Sequence, residues 1–327
     1  MTQRLAIVER LPGHTEVMGG FIRLARELGY DTHLLYERED PFHVVEYFQS
    51  RFSLGADNVH EWSEIINPDL HFDVIILNTS YVWLDFAPWL QQWNSNQRLI
   101  VVHHHPEDVD LNPFGGSVYL TPVAGKDKWI FPLYSKPSDT ERWVQENAAT
   151  PAGETAELPT LIVIGSFEGK DTASALNYLH AGGKLVHYDR YRCHFFPGHD
   201  GRYTQHLGLN GLDFMASLAR QVKPAFLWLP VVPESDYAVC RFTGALILGV
   251  ELNCIMLMPE RLRKLYGFPE QAVITYGASL AEAECLKELR ASPEKQQERR
   301  RHLGIWAAER WNSNLAVFQR LLGGQGA

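Results

Sequence analysis

Short apolar runs alternate with stretches of helical periodicity from one end of the chain to the other, and this pattern restricts the fold more than any other feature. Leu5-Ala-Ile-Val8 reads as a buried strand. After the turn Leu11-Pro-Gly-His14, apolar residues recur at helical spacing (Val17, Phe21, Leu24, Leu28) until Gly29 stops the helix, and Thr32–Tyr36 forms the next strand. A strand, a crossover helix and a second strand are the first unit of a doubly wound parallel sheet. Asp73-Val-Ile-Ile-Leu77 and Arg98–His103 extend the sheet. Val44–Phe52 and the tryptophan-rich segment Val82–Trp93 are predicted helices, and two β-like runs follow at Val118–Pro122 and Lys128–Tyr134.

The stretch Ser135–Pro159 breaks the pattern with Pro137, Pro151 and Pro159 and little apolar periodicity. The alternation then restarts with strand Thr160–Ile164, helix Thr172–His180 and strand Lys184–Tyr188. A long loop is predicted over Asp189–Gly211. Further strands are read at Ala225–Leu229, Asn253–Leu257 and Ala272–Thr275, and helices at Phe214–Val222, Tyr237–Leu248, Pro259–Tyr266, Ser279–Leu289 and Pro293–Leu322. The expected architecture is α/β, with two Rossmann-like domains facing a central cleft. Residues 1–135 form the first domain, 136–158 a linker, and 159–327 the second domain with the C-terminal helix.

Composition narrows the function. A formal charge of −9 over 327 residues disfavours generic nucleic-acid binding, which needs a local surplus of cations. The one tight basic run, Arg299–Arg301, lies beside Glu294 and Glu298 and reads as a solvated helix face. No apolar run approaches the roughly 20 residues of a membrane helix. Cys193, Cys240, Cys254 and Cys285 lack metal spacing and read as free thiols. With no leader pattern at the N-terminus, the expected location is the cytoplasm.

In a parallel sheet ligands bind beyond the carboxyl ends of the strands, so the loops at 10–16, 78–81, 103–108, 165–171, 189–192 and 230–236 are the candidate sites. Gly13, His14 and Glu16 follow the first strand, where an imidazole or carboxylate can act as a general base. Gly19 and Gly20 either let a ligand approach the helix or let the helix pack closely. His103 and His105 alternate onto one strand face. That spacing suits a hydrogen-bonded sugar or phosphate, or two ligands of a metal site whose remaining ligands would have to fold back from Glu107 and Asp108. No metal is assigned. Gly165 and Ser166, with Lys170 before the next helix, offer amide donors and a cation to a diphosphate, although no Walker pattern is present. Glu234 at a strand end suits ribose hydroxyls. Ser235 is a candidate N-cap as well as a donor contact, and Arg241, Thr243 and Gly244 follow on the next helix.

With these residues in view, the chain resembles the GT-B-fold glycosyltransferases over most of its length. Leu11-Pro-Gly-His14 through Gly19-Gly20 to Gly29 is similar to the first loop and helix of such enzymes. Ile164-Gly165-Ser166 before Lys170 is similar to the loop that meets the donor phosphates, and the run from Glu234 to Leu257 to the donor-binding helix and its following strand. Many retaining members carry a second Glu eight positions after the first, where this chain has Phe242. The resemblance implies transfer of a sugar from a nucleotide-sugar donor to an acceptor, without metal or cofactor. Gly165, Ser166, Lys170, Glu234, Ser235, Arg241, Thr243 and Gly244 are then on the donor side. Gly13, His103 and His105 are on the acceptor side, and an inverting reaction takes His14 or Glu16 as its catalytic base, with His103 or His105 as the second choice. Two other functions fit the same architecture: a sugar-nucleotide epimerase or hydrolase, and a non-catalytic binding protein.

Overall fold

The structure is a computed structural model that describes residues 2–10, 15–37, 44–67, 69–79, 97–104, 115–122, 128–134, 158–165, 171–189, 196, 198, 201–207, 226–232, 244–277, 280 and 283–323. The chain divides into two compact units. One comprises Met1–Ser135, Cys240–Gly244 and Arg310–Ala327, the other Lys136–Val239 and Ala245–Glu309. Residues 310–323 of the last helix, read from sequence as the end of the C-terminal domain, therefore group with the first unit.

The first unit is built on six parallel strands: β1 (Arg4–Glu9), β2 (Asp31–Tyr36), β3 (Val59–Glu61), β4 (Val74–Leu77), β5 (Arg98–His103) and β6 (Gly115–Tyr119), in the order β3-β2-β1-β4-β5-β6. Helix α1 (Thr15–Glu27) buries Val17, Met18, Phe21, Ile22, Leu24 and Ala25, as its apolar spacing predicts. Gly29 closes the helix at φ +82°, while the Gly29 and Tyr30 amides bond back to the carbonyls of Arg26 and Ala25. Gly19 and Gly20 serve close packing. A Cβ at Gly20 would come within 2.4 Å of the Pro132 backbone, and one at Gly19 within 2.6 Å of the Tyr134 ring. Helix α2 (Val44–Phe52) adds Phe48, whose ring meets Tyr134 edge-on. The predicted helix Val82–Trp93 lies outside the described residues.

The second unit repeats the plan with β7 (Thr160–Ile164), β8 (Lys184–Asp189), β9 (Tyr203–Leu207), β10 (Phe226–Trp228), β11 (Ile255–Pro259) and β12 (Ile274–Tyr276). All its pairs are parallel, and the order β9-β8-β7-β10-β11-β12 is the same 3-2-1-4-5-6 sequence as in the first unit. Its described helices are α3 (Thr172–His180), α4 (Gly244–Glu251), α5 (Glu260–Tyr266), α6 (Ala283–Leu289) and most of α7 (Pro293–Gly323). Trp228, Tyr178, Phe226 and Leu257 lie at the centre of its core.

Two expectations change. Strand β9 lies inside the segment read as one long loop. Tyr-Thr-Gln-His-Leu at a sheet edge is only half-buried, so it lacks the apolar run that marks an interior strand. The run at Val118–Pro122 begins earlier, at Gly115, because two glycines open it. The run at Lys128–Tyr134 contributes a bridge between Tyr119 and Trp129. Among the described residues, no helix is long and apolar enough to cross a membrane, and Cys254 and Cys285 are buried free thiols.

Candidate functional site

In the order 3-2-1-4-5-6 the connections leave the sheet in opposite directions from its first and fourth strands, and ligands collect at the carboxyl ends of that pair. The pair is β1 and β4 in the first unit, β7 and β10 in the second. Each pair carries a polar cluster.

At the first, β1 ends in Glu9, which is 1% exposed. Its Oε2 accepts hydrogen bonds from Asn78 Nδ2 and Thr79 Oγ1, both at 2.6 Å. Asn78 follows β4 and continues the ladder, its amide donating to Val8 at 2.9 Å. From the end of β5, His104 Nε2 lies 2.7 Å from the Asn78 carbonyl. A carbonyl only accepts, so this ring carries its proton on Nε2. Three adjacent strands thus fix one buried carboxylate and one imidazole. Charge-assisted bonds of this kind hold side chains more firmly than neutral ones.

His103, one residue earlier, points elsewhere. It is buried and stacks on Tyr119 of the neighbouring strand, with centroids 4.9 Å apart and rings inclined by 21°. Glu16 falls in the first turn of α1. Gly13, His14, His105 and the side chain of Glu16 lie outside the described residues.

At the second pair, β7 gives way to Gly165 at φ +84°, a left-handed conformation that favours glycine. The Gly165 amide donates to the Tyr188 carbonyl at 2.8 Å, and its carbonyl accepts from His187 Nε2 at 2.8 Å. His187 is fully buried in β8. Its Nδ1 lies 2.8 Å from the Tyr203 hydroxyl on β9, and the Asp189 carboxylate is 3.9 Å from Nε2. The far end of the 165–171 loop is tied as well. Asp171 donates its amide to the Pro230 carbonyl beyond β10 at 3.0 Å and caps α3 by accepting from Ser174 N at 2.9 Å. Tyr276 of β12 donates to the Leu229 carbonyl at 2.8 Å and accepts from Trp228 Nε1 at 3.1 Å, and burial raises its phenol well above the usual range.

Gly244 begins α4, while Ser166, Lys170, Glu234, Ser235, Arg241 and Thr243 lie outside the described residues. Among the described residues, no group of three or more His, Cys, Asp or Glu side chains is placed to hold a metal ion. Glu9, Asn78, Thr79, His104, His187 and Tyr203 belong to no motif. The signal for most of them was position at or near a strand end, and the strand order that groups them is not written locally.

No protein-family model matches the chain, and no curated protein matches it by sequence. Solved structures do match over nearly its whole length. AviGT4, a glycosyltransferase involved in avilamycin A biosynthesis, superposes with a TM-score of 0.61 at 16% identity, covering 99% of each chain. The UDP-GlcNAc 2-epimerase of Methanocaldococcus jannaschii, solved with UDP-GlcNAc and UDP, gives 0.50 at 10% identity, covering 98% of this chain and 100% of its own. A UDP-glucosyltransferase from Polygonum tinctorium gives 0.50 at 9% identity over 98% of each. With two parallel six-stranded sheets of one strand order and helices flanking them, the chain has the GT-B fold, two Rossmann-like domains in one polypeptide.

Proposed function

We propose that the protein is a glycosyltransferase that uses a nucleotide-sugar donor. The supporting observation is the pair of anchors at the two ends of the 165–171 loop, beside the carboxyl ends of the paired strands β7 and β10: His187 on the Gly165 carbonyl and the Asp171 amide on the Pro230 carbonyl. A loop held this way at a strand end suits a diphosphate, because donors fixed before the reaction cost no reorganisation during it.

In the proposed reaction an acceptor hydroxyl oxygen bonds to the anomeric carbon as the bond from that carbon to the diphosphate oxygen breaks. The electron pair leaves with the nucleoside diphosphate, whose charge is met by Lys170, Arg241 and the amides that follow Gly165, beginning with Ser166, since the Gly165 amide itself is bonded to the Tyr188 carbonyl. The hydroxyl proton passes to His14, with Glu16 as the neighbouring carboxylate. Glu234 and Ser235 take the ribose, and Thr243 and Gly244 complete the donor side. Gly13, His103 and His105 belong to the acceptor side, where the burial of His103 on Tyr119 suits a shaping part. Neutralisation by amides and cations requires no metal or cofactor in this scheme.

The test is a thermal-shift screen against nucleotides and nucleotide sugars, followed by product analysis with candidate acceptors, since ligands of the native state raise its melting temperature. The expected result is stabilisation by one nucleotide-sugar class and nucleoside diphosphate release that depends on acceptor. Absence of any nucleotide response contradicts the reading. The likeness to a UDP-GlcNAc 2-epimerase supports a second reading, epimerase or hydrolase. Rapid conversion of the donor with no acceptor present decides for it.

A further inference from the structure

The geometry points to His187 as a positioning residue that sets the orientation of the diphosphate-binding loop through the carbonyl of Gly165. This rests on the donor site proposed above.

His187 lies on β8, a strand covered by β7 on one side and β9 on the other, and none of its surface is exposed. For packing alone, an aliphatic residue would serve there. A fully buried imidazole costs free energy unless its nitrogens are satisfied. Both are satisfied, and in a specific sense. The Gly165 carbonyl can only accept, so Nε2 donates, and Nδ1 is then matched by the Tyr203 hydroxyl in the neutral ring. Tyr203 is itself held edge-on against Phe196, at 4.8 Å between centroids.

The consequence falls on the backbone. Up to Ile164 the carbonyls of β7 run in a parallel ladder with β8, and the Gly165 amide makes the last rung, to Tyr188. At φ +84° the chain turns out of the strand, and the Gly165 carbonyl turns onto the imidazole. A trans peptide is planar, so anchoring its carbonyl fixes the plane of the whole unit that opens the loop. Binding an anion by backbone amides depends on that plane being set in advance. The line Phe196–Tyr203–His187–Gly165 thus joins an edge strand of the second sheet to the first peptide of the loop.

The test compares wild type with His187→Leu, His187→Gln and Tyr203→Phe by calorimetric binding of nucleoside diphosphates (UDP, dTDP, GDP, ADP) and of the matching nucleosides. Leu removes the donor to Gly165, Gln keeps one, and Tyr203→Phe frees the ring at milder structural cost. The expected result for His187→Leu is about tenfold weaker binding of the preferred diphosphate, the scale of one lost hydrogen bond, with nucleoside binding unchanged. His187→Gln should remain within about threefold of wild type, and Tyr203→Phe should fall between the two. Should His187→Leu not fold, an intermediate diphosphate-only loss in Tyr203→Phe supports the same assignment. Equal diphosphate affinity in folded variants overturns the assignment, as does a parallel loss of diphosphate and nucleoside binding. If wild type binds no nucleoside diphosphate at all, the donor site itself is wrong and the role of His187 falls with it.

Discussion

Asn314 and Phe131 are bonded to one another twice across 183 residues of sequence. The side-chain amide of Asn314, fully buried on α7, accepts from the Phe131 amide at 3.1 Å and donates to the Phe131 carbonyl. A single side chain thereby pairs with both backbone groups of one residue, as a neighbouring strand would. Around this contact Arg310 places its guanidinium 4.0 Å from the Trp129 ring centre, and Phe318 packs against Phe21 of α1. Residues 310–323 join the first unit through these contacts.

Asn314→Leu should therefore destabilise the protein by about 2–4 kcal/mol, because two buried backbone bonds are lost with no substitute. Urea denaturation measures it. Wild-type stability in the folded variant would show that the pair is incidental.

The buried carboxylate of Glu9 is equally specific. Asn78 and Thr79 both donate to its Oε2, so Glu9→Gln can keep both bonds with its carbonyl oxygen there, whereas Glu9→Leu leaves both donors without that acceptor and is the informative variant. The expected loss is about 1–3 kcal/mol, and Asn78→Asp, which sets a second carboxylate against Glu9, should cost at least as much. A Leu variant as stable as wild type argues that Asn78 and Thr79 do not depend on the Glu9 carboxylate.

How much of this could be read from sequence follows from the range of each signal. The interior strands β1, β4, β7 and β11 are short apolar runs, and both the elements and their order of succession were legible. β9 was not, because Tyr203–Leu207 forms an edge and its residues alternate without an apolar face. The candidate loops are read from sequence by their place after strands. The contacts at their described ends were not legible. Period-two alternation separates His103 from His104 but does not say which contacts a loop. His104 meets Asn78 only because β4 lies beside β5, and Glu9 meets Asn78 only because β4 returns beside β1. His187 sits within an ordinary strand sequence, and nothing local marks the carbonyl 22 residues earlier that it holds.

Acid should weaken the first unit through His33. This ring is buried on β2. Its Nδ1 lies 3.0 Å from His60 Nε2, and its Nε2 lies 3.1 Å from Asp31 and 3.3 Å from Arg4 Nε. Asn58 donates to Asp31, Glu64 lies 3.7 Å from His60, and Phe72 packs edge-on to His33. Burial is the largest influence and lowers the His33 pKa from its ordinary 6.5. Asp31 opposes the shift, and Arg4 and His60 reinforce it. The folded state therefore binds fewer protons than the unfolded state as pH falls past about 6.5. The stability contribution is complete above that value and declines as pH falls toward the folded-state pKa. Melting temperatures at pH 7.5 and 5.5 should drop more for wild type than for His33→Leu. Equal drops would assign the acid sensitivity elsewhere.

Gly165→Ala tests the turn and the anchored carbonyl together. An L side chain at φ +84° costs about 1–2 kcal/mol, so the variant must either keep the turn under strain or relax toward negative φ. If it keeps the turn, stability falls and the bond to His187 survives, leaving nucleoside diphosphate affinity near wild type. If it relaxes, the carbonyl leaves the imidazole, strain is relieved, and affinity falls instead. The single hydrogen bond between His187 and the Gly165 carbonyl favours the second course, because its worth of about 0.5–1.5 kcal/mol is comparable to the strain it would have to hold. Gly165→Ala should thus weaken nucleoside diphosphate binding by up to about tenfold while lowering the melting temperature only modestly. The decisive measurement is the double variant with His187→Leu. Two substitutions that break the same bond cannot each lose it again, so the combined loss should be close to that of the larger single variant. Losses that simply add would mean that glycine and histidine act on the loop by separate routes.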